Sequence, residues 1–148
     1  AGHGYMPIVL KAVTMDDYTT WVDEKKIAQA ASKNTSNIVL NMEELMTKGE
    51  GVYKAQCLVC HQANGQGLKG AFPSIVKSPI AIEPSNRMRH IQQIIYGKGL
   101  MPAFGEQLSD VDIASIVSFT RNAWGNNTGD IIQAKEVAEA RKAPKVIK

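Results

Sequence analysis

The chain has 148 residues, 44% of them hydrophobic and only 6% aromatic, enough for one small core plus extensions. Its formal charge of +3 divides into zero over residues 1–41, +1 over 42–128 and +2 over 129–148, so no dense Lys/Arg stripe marks a nucleic-acid footprint. No apolar run approaches the ~20 residues of a membrane span, and no charged-then-apolar leader opens the chain, which starts as if cut from inside something longer.

After Pro7, the apolar run Ile8, Val9, Leu10, Ala12 and Val13 predicts a short strand. Thr14 followed by Asp17 resembles a helix N-cap with an acidic partner, and Tyr18, Trp21 and Val22 follow at helical spacing, which predicts a helix over 15–31. The polar stretch 32–37 reads as a linker. Leu45, Met46, Gly49, Val52 and Tyr53 then lie on one helical face that runs into Cys57. Gly49 is out of place there, because glycine weakens a helix by roughly 1 kcal/mol relative to alanine. A close helix–helix crossing would account for it.

Residues 64–84 are rich in Gly, Pro and Ser and read as loop. A short helix is expected from Arg87 to Tyr96, with Met88, Ile91, Ile94 and Ile95 inward, His90 on its exposed side and Gly97 as the stop. "GKGLMPAFGEQ" is loop again. Ser109 with Asp112 forms a capping-box-like start, with Leu108 and Ile113 placed for a hydrophobic staple. The last core helix is therefore expected over about 110–122, with Ile113, Ile116 and Val117 inward. Residues 131–148 are charged and read as a helical or mobile tail.

The two cysteines of the chain fall together in Cys57-Leu58-Val59-Cys60-His61. C-x-x-C-H is the attachment signal for a c-type haem. Two thiols at this spacing reach the two vinyl groups on one porphyrin edge, and the following histidine is held at the iron. A thioredoxin-like dithiol also uses C-x-x-C, but wants a strand before it where a helix is expected here. A structural zinc site wants four ligands, and no second cysteine pair exists.

One histidine leaves a sixth position on the iron. Among six methionines, Met46 and Met88 sit on helical inner faces and read as core filler. Met101 lies instead in an irregular loop between Gly97 and Gly99 on one side and Pro102 and Gly105 on the other, where it can be aimed at the metal. His90 is the competing candidate. A His61/Met101 shell leaves no catalytic position on the iron and suits electron transfer, and the soft thioether favours the reduced state. Ligating imidazoles donate their second nitrogen to a carbonyl or carboxylate. Pro73 in "AFPSI" either supplies that carbonyl or is a plain turn proline.

Residues 42–122 resemble a class I cytochrome c: a helix with Gly49 and Tyr53, then C-x-x-C-H, a Pro loop, a short helix, a Met-Pro loop and a terminal helix. The resemblance implies an all-α fold of three to four helices around one covalent haem c. It also implies that Gly49 is where the first and last helices touch, with Phe119 its neighbour.

The opening "HGYMPIVLKAV" resembles the end of the copper domain of subunit II of haem–copper cytochrome c oxidases, where His-x-x-Met-Pro closes a metal-binding loop. "TRNAWGNNTGD" at 120–130 is similar to the tail of cytochrome domains fused behind such copper domains. On that resemblance His3 and Met6 would be copper ligands, but only in an intact parent. The copper site also needs two cysteines and an upstream histidine, and both cysteines here go to haem.

The expected organisation is thus a copper-domain remnant plus helix at 1–31, a linker at 32–41, a cytochrome c domain at 42–128 and a tail at 129–148. The resemblance implies a relay from a soluble donor, such as another cytochrome c, to the copper centre of a terminal oxidase. Two other readings stand beside it: a free periplasmic cytochrome c serving a dehydrogenase or reductase, and a haem enzyme or gas sensor with an open iron. Haem c attachment implies the periplasmic side of a bacterial inner membrane. A parent subunit would be membrane-anchored, whereas this stretch makes no membrane contact itself. Lys54, Lys69, Lys77 and Lys98 either ring the haem edge or form an ordinary solvated scatter.

Overall fold

A computed structural model describes residues 10–33 and 35–146, the side chains of 27–33 excepted. The chain divides into two units, Ala1–Ala31 and Ser32–Lys148. The expected copper ligands His3 and Met6 lie outside the described residues, as does the start of the expected strand. Residues 10–13 form no strand, and among the described residues there is no sheet for them to join.

The first unit holds all but the last two residues of helix α1 (Met15–Lys33). Thr14 caps it: its hydroxyl accepts from the Asp17 amide at 3.2 Å and donates to the Asp17 carboxylate at 2.8 Å. Met15, Tyr18 and Trp21 are all exposed, with the Tyr18 and Trp21 ring centroids 6.2 Å apart.

The second unit is built from α2 (Met42–Gln56), α3 (Leu58–His61), α4 (Pro79–Ile82), α5 (Arg87–Tyr96), α6 (Asp110–Asn122) and α7 (Ala134–Lys142). Among the described residues only two isolated bridges, Leu68–Phe72 and Lys98–Met101, have strand-like pairing. The fold is all-α, as expected. Asn41 and Glu44 close a capping box at the start of α2, and Ser109 and Asp112 close one at the start of α6. The stretch read as loop before α5 contains the single turn α4, opened by Pro79 at a position where a missing amide costs nothing.

α2 lies against α6. A β-carbon on Gly49 would come within 2.6 Å of the Phe119 Cβ and closer still to the Ser115 carbonyl, so the two backbones meet at a spot only glycine can occupy. Leu45 and Tyr53 flank this contact and are almost fully buried. Ile113, Ile116 and Val117 are likewise sealed. α6 is buried nearly all round because α5 and α7 cover the sides that α2 leaves open.

Two expectations for α5 are corrected. Met88 is exposed rather than inward, and His90 is buried rather than exposed. Both follow from the C-terminal segment. Arg87 turns to it, bonding the Asp130 and Glu136 carboxylates and the Ile131 carbonyl. That rotation leaves His90 facing α6, where its Nε2 lies 3.5 Å from the Thr120 hydroxyl. Residues 131–146 are not a loose tail: Ile132, Val137 and Ala140 belong to the core.

Gly49→Ala is expected to lower stability by about 1–3 kcal/mol through overpacking. Gly51→Ala, where nothing lies within 4 Å, is expected to gain up to ~1 kcal/mol from helix propensity. Urea denaturation midpoints of the two variants check this, and shifts of the same sign would remove Gly49 as the contact point. Burial, reinforced by Arg121, pushes the His90 imidazole down to about 3. The unfolded chain takes up this proton near 6.5 while the folded chain does not, so the stability is whole above pH 6.5 and falls as pH drops toward 3. His90→Gln should flatten the stability–pH slope between pH 6 and 4 by one proton.

Candidate cofactor site

α2 ends at Cys57, whose amide still bonds the Tyr53 carbonyl at 2.9 Å. The chain then makes the single turn α3, with the Cys60 and His61 amides both directed at the Cys57 carbonyl, at 3.2 and 2.9 Å. Gln62 stops it with φ of 63°. Two cysteines and a histidine are thereby wound into one turn. The buried Tyr53 hydroxyl fastens this turn by donating to the Gln62 carbonyl at 2.5 Å. The Tyr53 ring packs in turn on Phe119 and Trp124, at 5.7 and 4.8 Å between centroids.

Beyond the turn, Leu68 and Phe72 exchange backbone bonds of 2.9 and 2.8 Å and fold the loop back on itself. This brings the Pro73 carbonyl 3.0 Å from His61 Nδ1. Nδ1 must therefore carry the proton, and Nε2 is left as the free acceptor nitrogen.

The loop after α5 begins at Gly97, with φ of 73° and its backbone packed so tightly against Pro102 and Ala103 that a β-carbon would come within 2.9 Å of both. Lys98 and Met101 pair at 3.1 and 3.0 Å, and the Phe104 and Gly105 amides return to the Ile94 and Ile95 carbonyls at 3.0 Å each. Those are last-turn carbonyls of α5, which lack helical partners.

These segments enclose a cleft of about 440 Å³ with a mostly apolar wall. Cys57, Cys60 and His61 line it from the α3 turn, Phe72 and Pro73 from the next loop, Gln93 from α5, and Leu100, Met101 and Phe104 from the last loop. Among the described residues Met101 is the one methionine in the lining, and its sulfur lies 3.8 Å from the Gln93 side-chain amide. His90 faces α6 and does not line the cleft.

The donor set decides what group fits. Burial, with Cys60 adding to it, pushes the Cys57 thiol up to about 12. A redox-active dithiol needs the opposite shift. Among the described residues no group of three or more His, Cys, Asp and Glu side chains could hold a bare metal ion. Two thiols, one imidazole nitrogen and one thioether around an apolar cleft suit a flat metal macrocycle that brings its own equatorial ligands. A haem fits these residues.

Sequence reasoning did not single out Gln93 or the Tyr53 hydroxyl. Gln93 sits one turn before the Gly97 stop, which is what lets it reach the loop beyond, and that spacing was the available signal. Of the four lysines, Lys98 lines the cleft. Lys54 pairs with Glu50 at 2.7 Å, and Lys69 and Lys77 are exposed, Lys69 beside the Ala71–Pro73 part of the cleft wall.

The profile of the family described as "Cytochrome C oxidase, cbb3-type, subunit III" matches residues 44–119. The gluconate 2-dehydrogenase cytochrome c subunit of Pantoea cypripedii is 27% identical over 90% of this chain and 34% of its own length. The cytochrome c subunit of a quinone-type alcohol dehydrogenase from Gluconobacter oxydans is 27% identical over 79% of this chain and 26% of its own length. The chain thus spans about a third or less of these two relatives. Cytochrome c-552 of Thermus thermophilus is 35% identical over 53% of this chain and 69% of its own length.

Proposed function

The chain belongs to the family described as "Cytochrome C oxidase, cbb3-type, subunit III", a family of cytochrome c domains that implies covalent haem c, and from that premise we propose that it is a single-electron carrier whose haem is held by Cys57, Cys60, His61 and Met101. The observation that carries this reading is the convergence of these four side chains on one apolar cleft, with His61 Nδ1 tied to the Pro73 carbonyl. When bound, the haem iron takes up and releases one electron. The protein's part is to attach the group through Cys57 and Cys60, offer Nε2 of His61 on a ring oriented by Pro73, and offer the Met101 sulfur from a loop pinned to α5. The apolar wall keeps water from the iron. Gln93 acts on the sulfur: an amide N–H directed at a thioether draws electron density from it and favours reduced iron.

Relatives named as cytochrome subunits of dehydrogenases support a donor of that class, and cytochrome c-552 supports a free carrier. On either footing the domain works on the periplasmic side of a bacterial inner membrane. Encounters with partners are small and brief, at the rim where Leu100, Val59 and Lys98 are exposed beside the cleft. A second reading, the relay to an oxidase copper centre, is supported by the His3-to-Pro7 motif. The gene sequence upstream of Ala1 separates the two: the relay requires a copper domain and membrane helices there, and a dehydrogenase-type cytochrome subunit does not.

The visible colour should survive acid–acetone extraction, and the oxidised protein should show the weak long-wavelength band of iron–thioether bonding. Met101→Ala should abolish that band and let the reduced protein bind carbon monoxide, which the parent should resist. Extractable colour, or a band that persists in Met101→Ala, would overturn the ligand assignment. Gln93→Leu is expected to lower the reduction potential by up to about 60 mV, the one-electron equivalent of ~1.4 kcal/mol. Protein-film voltammetry measures this.

A further inference from the structure

We propose that Arg141, on the C-terminal helix α7, is a positioning residue that holds the Met101 loop closed. Its guanidinium makes three bonds to three different places. Nη1 donates to the Gly105 carbonyl at 2.8 Å, Nη2 to the Leu108 carbonyl at 3.1 Å, and Nε to the Asp110 carboxylate at 2.7 Å. Gly105 and Leu108 belong to the loop that carries Met101, and Asp110 is the first residue of α6. One planar fork thus ties the far end of the loop to the helix it runs into. A lysine could not copy this, because a point charge on a flexible stem has no fixed fork.

Just past Met101 the loop is already fixed to α5 by the Phe104 and Gly105 amides, and Arg141 takes the Gly105 carbonyl from the other side. Arg141 supplies the complement, donors for the loop's inward carbonyls. The Asp110 side chain is only 8% exposed, so this ion pair is largely shielded from water and its loss is felt.

The rest of α7 is seated without the guanidinium. The buried Gln92 side chain donates to the Ala140 and Pro144 carbonyls at 3.2 and 3.0 Å and accepts from the Val146 amide at 2.7 Å. The Tyr96 hydroxyl donates to the carbonyl of Arg141 itself at 3.1 Å. At the other end Arg87 bonds Glu136 at 2.8 Å. Removing the guanidinium therefore unties the loop while leaving α7 docked. The consequence is on the sulfur: a loop free at its far end spends more time with Met101 swung away from the iron.

This rests on the assignment of Met101 as the sixth ligand, and the test separates the two. An external ligand such as imidazole reaches oxidised iron only when Met101 has left, so its apparent affinity scales with the fraction of open loop. The haem-loaded full chain is titrated with imidazole at pH 7 and followed by the long-wavelength band. Arg141→Met, which keeps the stem, should bind imidazole at least tenfold more tightly than the parent, and Arg141→Lys at least fivefold more tightly. Amide exchange over 134–142 should stay unchanged in both variants. Should Arg141→Met fail to fold, Arg141→Lys carries the test alone. An affinity within twofold of the parent, full rescue by lysine, or tighter binding accompanied by loss of protection across α7 would each overturn the strap. No long-wavelength band in the parent would overturn the ligand assignment, and the strap with it. A normal parent band with unmoved affinity overturns the strap alone.

Discussion

The second unit depends on the approach of two backbones at Gly49. There α2 presses into α6 at Ser115 and Phe119 with no room for a β-carbon. This contact seats α2 on α6, and α2 runs directly into the Cys57 turn. It also brings Tyr53 onto Phe119 and Trp124, so that the Tyr53 hydroxyl meets the Gln62 carbonyl just behind His61. A glycine that weakens its own helix is retained because the site is measured out from it. The energetic trade is reasonable: helix propensity loses about 1 kcal/mol, while burying Leu45 and Tyr53 returns several times that.

The same pair of helices leaves two sides of α6 open, and polar chemistry closes them. Arg121 is fully buried, yet its guanidinium meets Asp130 at 2.6 Å and the Ile80 and Glu83 carbonyls at 3.2 and 3.1 Å. Arg87 shares Asp130 and adds Glu136. A buried cation is tolerated when it is paired and its remaining donors are used, and here those donors go to loop carbonyls. The network converts the segment after α6 from a charged stretch into a third layer over the core.

Much of this was legible in the sequence wherever the signal was local. The bounds of α5 and α6 follow from Gly97 at one end and the Ser109/Asp112 box at the other, because caps and stops are read within four residues. The grouping of Cys57, Cys60, His61 and Met101 was likewise readable, three of them by spacing and one by its irregular loop. What could not be read was anything decided by a distant partner. His90, on a helix that begins with two arginines, has the local marks of a surface residue. It is buried because Arg87 is recruited by acids some 43 and 49 residues away. Met88 is exposed for the same reason. For the charged C-terminal segment a helix and a mobile tail stayed open, because its partners, Gln92 and Tyr96, lie on a helix whose own periodicity gave no hint of a second covering.

The loop that follows the α3 turn and the loop that carries Met101 are nearly without regular structure, and that raises the question of how they are kept stiff. A buried carbonyl needs a donor, and in a loop no helix or sheet supplies one. This chain supplies side chains instead. Tyr53 serves the Gln62 carbonyl, and Arg141 serves Gly105 and Leu108. Each of these donors stands on a helix or directly after one, so the loops take their rigidity from the helices without being helical themselves. In a carrier that must pass an electron without rearranging its ligands, such bonds have a function beyond stability. On the proposed ligand assignment they would hold the Met101 thioether and the His61 imidazole in place while the cofactor changes charge.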